Sequence, residues 1–388
     1  MEAAFICSDE LWSRGFGGGH PLKPERLKRT YELLAAYGAF DAPSSHLVAP
    51  RPAGREDLLL FHTAEYVDAV ARLSRGEGAP SEWRLLKEKG GPQAHRYGFR
   101  SDETPVFPGM YETEGLKVGA GLAGARWVVE GQGRVAFSFA GALHHARPAL
   151  ASGFCVFNDV AVAIRWLAHQ GLRVAYVDID VHHGDGVQAA FYDTDQVLTI
   201  SLHQAGILFY PGTGFPEELG TGAGYGTSIN LPFLIYTDEE LYLWAFRQVV
   251  PPLVRQFAPD VLVTQLGVDT HYRDPLARLM LTTRGYVAVV EELKALAEGA
   301  GRWLAFGGGG YAVDVVPRAW TLAYGVMSGQ AFQDELPPAY SERYGPGRLH
   351  DTEGPELPED WVMEETRKYV EKSIAFLKAH TRDVWEWG

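Results

Sequence analysis

Short apolar runs recur along the chain at residues 4–7, 134–139, 173–179, 197–202, 227–231, 261–266 and 302–306. Each has the length of a buried strand, and runs such as Val174-Ala175-Tyr176-Val177 carry the β-branched and aromatic residues strands favour. Between several of them the apolar spacing shifts to that of a one-faced helix, over 24–37, 115–130, 159–169, 238–257 and 284–298. Strands alternating with helices predict an α/β fold, a mostly parallel central sheet with helices on both faces. No repeat, low-complexity linker or composition break divides the chain, so residues 1–388 are expected to form a single domain. Residues 330–360, rich in Pro, Gly and acids, predict a surface excursion, and 359–380 a helix packing back onto the body.

Polar residues gather where the apolar runs end, and in open α/β sheets ligands bind beyond the carboxyl ends of strands. The segment YVDIDVHHGDG, residues 176–186, holds Asp178, Asp180, Asp185, His182 and His183 within eleven positions. Alternation along a strand turns Asp178, Asp180 and His182 to one side and Val177, Ile179 and Val181 to the other. Buried charges must be paired or bound to metal, so this pattern points to a metal site. Three more motifs stand at strand ends: His144-His145 in VAFSFAGALHHARP, Asp269 in VLVTQLGVDTHYRDP, and Tyr311 after the four glycines of WLAFGGGGYAVD. The glycine run lacks the Lys-Ser/Thr of a P-loop and the spacing of a dinucleotide site. It predicts close backbone approach to a ligand, with Tyr311 aimed at that ligand. Singly these signals are ordinary; together at the ends of one sheet they support each other.

Composition narrows the class. The chain is 46% hydrophobic, 12% aromatic and 22% charged, the balance of a globular protein. Its net charge of −14 argues against direct nucleic-acid binding and favours cationic substrates such as lysine-bearing peptides or polyamines. The two cysteines, Cys7 and Cys155, are too few for a disulfide scaffold and fit a reducing cytoplasm. The first residues lack the basic start and apolar core of a signal peptide, and no run of about 18 apolar residues is present to span a membrane. A soluble, cytoplasmic protein without membrane partners is expected.

The ordered set GHPLKPERL, FHTAEYV, LHHARP, SGFCVFND, YVDIDVHHGDGV, SLH, YPGTG, QLGVDT and GGGGY resembles the zinc-dependent histone deacetylase superfamily. The likeness is to the class I enzymes and the acetoin utilization proteins, and it runs from about residue 5 to 325. It implies the arginase/deacetylase-like fold and a catalytic metal, Zn²⁺ with Fe²⁺ as competitor, on Asp180, His182 and Asp269. It pairs His144 with Asp178 and His145 with Asp185, makes His145 the general base and acid, and makes Tyr311 the oxyanion donor. It also implies a structural K⁺ held by Asp178, Ser201 and the backbone carbonyls of Asp180, His182 and Leu202. Phe154 and Tyr210 would wall an acyl-lysine tunnel, with Gly153 leaving room for the stem. Tyr210 stands where many members have Phe, and THYRD after Asp269 is bulkier and more basic than in many relatives.

The expected activity is removal of acetyl groups from lysine side chains of proteins or peptides. Asp102 aligns with an acidic residue that grips substrate backbone amides, and Leu276 falls where polyamine-selective relatives carry Glu. Acetylpolyamine hydrolysis is the alternative. A two-manganese, arginase-like ureohydrolase needs a second carboxylate after Asp269, where Thr270 and His271 stand instead. A non-catalytic acetyl-lysine binder is expected to have lost Tyr311 or the histidine pair, and both are present.

Overall fold

Eight strands build one sheet: β1 (Ala3–Ile6), β2 (Ser45–Val48), β3 (Val135–Ser138), β4 (Val174–Asp178), β5 (Val197–Gln204), β6 (Ser228–Phe233), β7 (Val261–Gln265) and β8 (Trp303–Phe306). The computed structural model describes residues 2–77, 96–99 and 103–387. The order is β2-β1-β3-β8-β7-β4-β5-β6, and every pairing is parallel. Parallel strands need crossovers, and helices supply them. The helices Met110–Val129 and Asp159–His169 pack on each other. Elsewhere Glu25–Ala36 packs on Val316–Ser328, which meets Thr283–Ala300, which in turn meets Glu239–Phe257. Residues of both parities on β4, β5, β7 and β8 are buried, so both faces are covered.

The helix termini follow ordinary capping chemistry. Asn158, Asp238 and Thr282 each accept a first-turn N–H through the side chain, at the starts of Asp159–His169, Glu239–Phe257 and Thr283–Ala300. The helix Asp360–Thr381 packs on β6 and on Glu239–Phe257, and Trp385 Nε1 donates to the Gly226 carbonyl at 2.7 Å. Among the described residues no helix is long and apolar enough to cross a membrane.

The pattern reading needs three corrections. β2 was not anticipated; it is a four-residue edge strand with Leu47 half exposed, so it lacks an apolar run. The helices Ala64–Ser74 and Val316–Ser328 were also unread, and Met110–Val129 begins five residues before the expected 115. Finally, β4 ends at Asp178. Asp180 and His182 therefore lie in the loop beyond, where Asp180 N donates to Asp178 Oδ1 and His182 N to Asp180 Oδ1, each at 3.0 Å. Side-chain–backbone bonds, rather than a sheet ladder, hold them in place.

Candidate active site

The carboxyl ends of the central strands β3, β8, β7 and β4 converge on one buried cup. From the loop after β4 come Asp180 and His182, and from the loop after β7 comes Asp269; one ligand atom of each lies within 4.8 Å of the others. His182 Nδ1 is 3.2 Å from both Asp180 Oδ1 and Asp269 Oδ2. All three residues are buried. Burial and the neighbouring Asp180 push the Asp269 carboxyl above the usual carboxylate range. The two carboxylates overcome burial and push His182 up to about 10. Two buried acids and one imidazole converging in this way call for a cation. The donor set fits a divalent transition metal with three protein ligands.

The glycine run explains how the acids come so close to the backbone. A Cβ on Gly309 would stand 1.9 Å from Asp269 Oδ2, and one on Gly267 would stand 2.4 Å from Asp180 Oδ2. Gly309 N donates to Asp180 Oδ2 at 2.6 Å, and Val181 N to Asp269 Oδ1 at 2.8 Å. The close approach is thus to the ligand carboxylates themselves, and these N–H bonds orient them.

From the loop after β3 come the two histidines. His144 Nδ1 is 2.8 Å from Asp178 Oδ2, His145 Nδ1 is 2.7 Å from Asp185 Oδ1, and the two Nε2 atoms are 3.0 Å apart. Burial alone would depress His144, but Asp178 and Asp180 push it up to about 9. Burial and the neighbouring His144 charge push His145 down to about 4, despite its bond to Asp185. Asp185 also accepts from Arg147 at 2.8 Å, and these partners overcome burial and hold it at about 2. Asp178 and Asp180 thus favour a proton on His144, while burial and the His144 charge disfavour one on His145, and the two rings face each other through their Nε2 atoms.

Aromatic rings line the approach. Tyr210 stands edge-on to His145 with centroids 4.8 Å apart, and its hydroxyl pairs with Ser152, the contact that Tyr rather than Phe makes possible. Phe154 and Tyr311 meet edge-to-face with centroids 5.9 Å apart. Gly153, at φ +55°, is required because a Cβ there would meet the His145 ring at 2.3 Å. A narrow cavity runs from Tyr311 and Phe154 past His145 to Leu143, Leu22 and Arg26. Leu276 lies outside that lining, 39% exposed. Asp102 lies outside the described residues. Ser201 is the register partner of Asp178, and its hydroxyl is 2.9 Å from His203 Nδ1.

Several residues at the site escaped the sequence reading. Arg26, buried and inside GHPLKPERL, donates to the carbonyls of Gly308 at 2.6 Å and Gly310 at 3.1 Å, which fixes the glycine loop. Asp159 accepts from Ala142 N at 2.9 Å and Leu143 N at 2.7 Å, which fixes the turn before the histidines. Phe209 stacks on His182 at 5.0 Å and 8°. Arg26 and Asp159 lie inside GHPLKPERL and SGFCVFND and Phe209 stands beside YPGTG, but none of these motifs names its contact.

The profile of the histone deacetylase domain matches residues 20–327. The chain belongs to the histone deacetylase family, and so to the deacetylase hydrolases. Within it the chain is 40% identical over 343 residues to the acetoin utilization protein AcuC of Bacillus subtilis (strain 168), covering 87% of this chain and 85% of that one. The AcuC of Staphylococcus aureus (strain MSSA476) is 36% identical over 336 residues, covering 86% and 83%. The crystal structure of an HDAC homolog complexed with SAHA superposes with a TM-score of 0.82 at 30% identity, covering 97% of this chain and 100% of that chain.

Proposed function

We propose that this protein is a metal-dependent deacetylase of acetyl-lysine in proteins or peptides, acting in the cytoplasm. Asp180, His182 and Asp269 would hold one ion, Zn²⁺ or Fe²⁺, since two carboxylates suit the harder ion too. When bound, that ion supplies Lewis-acid polarisation of the amide carbonyl and a water of lowered pKa. His145, neutral and anchored by Asp185, takes the water proton and passes it to the departing lysine amine. His144, anchored by Asp178, holds positive charge beside the developing negative charge. Tyr311 donates its hydroxyl to the oxyanion, a contribution of roughly 3–4 kcal/mol in comparable sites. Phe154 and Tyr210 flank the apolar stem of the lysine. Asp178 and Ser201, side by side on neighbouring strands, favour a structural K⁺ there, completed by the carbonyls of Asp180, His182 and Leu202.

The observation that carries this reading is the pair of separately anchored imidazoles beside three converging metal donors. A ureohydrolase would need further carboxylates in the cup. For substrate class, Leu276 offers no carboxylate to a distal ammonium, which favours peptide over polyamine. The test is turnover of acetyl-lysine peptides, longer acyl-lysine peptides and N-acetylated spermidine by purified protein, with and without chelator, alongside elemental analysis after dialysis. We expect chelator-sensitive peptide turnover and about one Zn or Fe per chain. Two tightly bound Mn per chain, or a clear preference for the polyamine, would sink the reading.

A further inference from the structure

The matched family region ends at residue 327, yet the excursion beyond it reaches back to the catalytic loops. Among its contacts, which include the Leu349 carbonyl accepting from Arg318 at 3.0 Å, is Asp351, whose side chain is only 5% exposed. Asp351 Oδ2 is 2.8 Å from His271 Nε2 and accepts Thr283 N at 2.8 Å, while Oδ1 accepts Arg318 NH2 at 2.9 Å. Its own N–H donates to Thr283 Oγ1 at 2.8 Å. One carboxylate thus ties together three segments: the loop after β7, the start of the helix Thr283–Ala300, and the helix Val316–Ser328.

Two of these segments carry the proposed chemistry. His271 lies two residues after Asp269, and Arg318 seven after Tyr311. His271 is itself buried, and its Nδ1 accepts Arg273 N at 3.2 Å, so Nε2 carries the hydrogen that Asp351 receives. The two loops are also cross-linked to each other. Val268 N donates to the Gly309 carbonyl at 2.9 Å, Tyr311 N to Asp274 Oδ2 at 2.8 Å, and Arg273 pairs with Asp314 at 2.9 Å. Asp351 stands behind this assembly and touches neither the metal donors nor the cavity. Removing a buried carboxylate that holds an Arg and a His leaves those donors unsatisfied, and they relax toward other partners. The loops they belong to would move with them.

We propose that Asp351 is a positioning residue: the C-terminal excursion uses it to hold the Asp269 loop and the Tyr311 loop in register with each other. This inference rests on the deacetylase reading, but its first readout does not. The full-length protein would be stripped of metal and titrated with Zn²⁺ alone, as wild type, Asp351→Ala, Asp351→Asn and Asp334→Ala. Asp334 serves as the control because it bonds Arg348 and His350 within the excursion and reaches neither loop. The same four proteins would then be assayed for kcat and KM on an acetyl-lysine peptide, with Tm recorded for each.

We expect Asp351→Ala to weaken Zn²⁺ binding and lower kcat by more than about tenfold with KM within about twofold, because the tunnel is untouched. Asp351→Asn keeps an acceptor oxygen and should recover part of both losses. Asp334→Ala should lower Tm alone. Should Asp351→Ala fail to fold, Asp351→Asn carries the test by the same readouts. Unchanged Zn²⁺ affinity and kcat in a folded Asp351 variant would overturn the proposal, as would equal losses in the Asp334 variant at equal Tm. A wild type that binds Zn²⁺ tightly but hydrolyses no acyl-lysine would instead remove the deacetylase reading and leave the affinity comparison to decide on Asp351.

Discussion

The floor of the pocket and its mouth rise from the same strand ends but are built under different constraints. On the floor several carboxylates are held by more than one partner. Asp180 takes N–H bonds from His182 and Gly309, Asp178 holds His144 and the Tyr176 hydroxyl, and glycines stand wherever a Cβ would collide. At the mouth, Ile207 is 75% and Leu208 fully exposed, immediately before Phe209 and Tyr210. Leu276 is partly open, at 39%. A floor set this rigidly can do one kind of chemistry, whereas a mouth made of exposed side chains can change its substrate by single substitutions. Activity should therefore be lost by changes below and redirected by changes above.

The sharpest break of that comparison comes from Tyr311. Tyr311→Phe removes one hydroxyl from the floor and no metal donor. We expect kcat/KM to fall by about 10²–10³ with the metal still bound, the usual effect of losing an oxyanion donor. His145→Ala should fall at least as far by removing the base. Retention of more than about a tenth of wild-type activity in Tyr311→Phe, a loss under about 1.4 kcal/mol, would show that the hydroxyl does not act on the transition state.

The floor was also the more legible region, for a physical reason. Asp178, Asp180 and His182 are adjacent in sequence, and the apolar run before them announces a strand end. The strand stops at Asp178, and beyond it the N–H bonds of Asp180 to Asp178 and of His182 to Asp180, rather than strand alternation, hold the segment. Seven of the eight strands were legible as buried apolar runs; β2 was not, because an edge strand needs no such run. Contacts between distant segments left no trace in the pattern. Asp351 and His271 are 80 positions apart, and Arg26 and Gly308 are 282 apart. Nothing in a one-dimensional period reports such pairs.

Acid should loosen the floor from behind. Burial alone would raise Asp351, but His271, Thr283 and the Arg318 charge overcome it and hold the carboxyl well below the usual range. A depressed folded-state pKa stabilises the fold above the ordinary carboxylate range, near pH 4, and that contribution is lost as pH falls through the depressed value. The stability gap between wild type and Asp351→Asn should thus be full at pH 5–7 and shrink below about pH 4. Urea midpoints at several pH values measure it. A gap that widens in acid would mean that Asp351 is not held as the anion.

At the mouth, Leu276→Glu should redirect rather than abolish. A carboxylate there gives a distal ammonium a partner, so the ratio of kcat/KM for N-acetylated spermidine to that for an acetyl-lysine peptide should rise about tenfold, a typical gain from one charge-assisted contact. Peptide kcat should stay within about twofold, since the floor is untouched. An unchanged ratio would place Leu276 outside the substrate path.

The smallest effect is expected from Leu208, and it tests whether the mouth touches substrate at all. Leu208 is fully exposed, yet its loop is firmly held: Phe209 N donates to the Gly206 carbonyl at 3.0 Å, Phe209 stacks on His182, and Tyr210 bonds Ser152. An exposed Leu alone needs no explanation. Two adjacent exposed aliphatics on an anchored loop, two and three residues before Tyr210, are placed to meet the residue flanking an acyl-lysine. Covering on the order of 40 Å² of apolar surface contributes about 1 kcal/mol, or a factor of about five. Leu208→Ser should therefore raise KM about three- to fivefold for a peptide with Leu or Phe beside the acetyl-lysine. With Gly in that position KM should not change, and kcat should be unaltered for both. Equal KM changes for the two peptides would mean that the loop acts through Tyr210 rather than by contact. That result would extend the rigidity of the floor up to the rim.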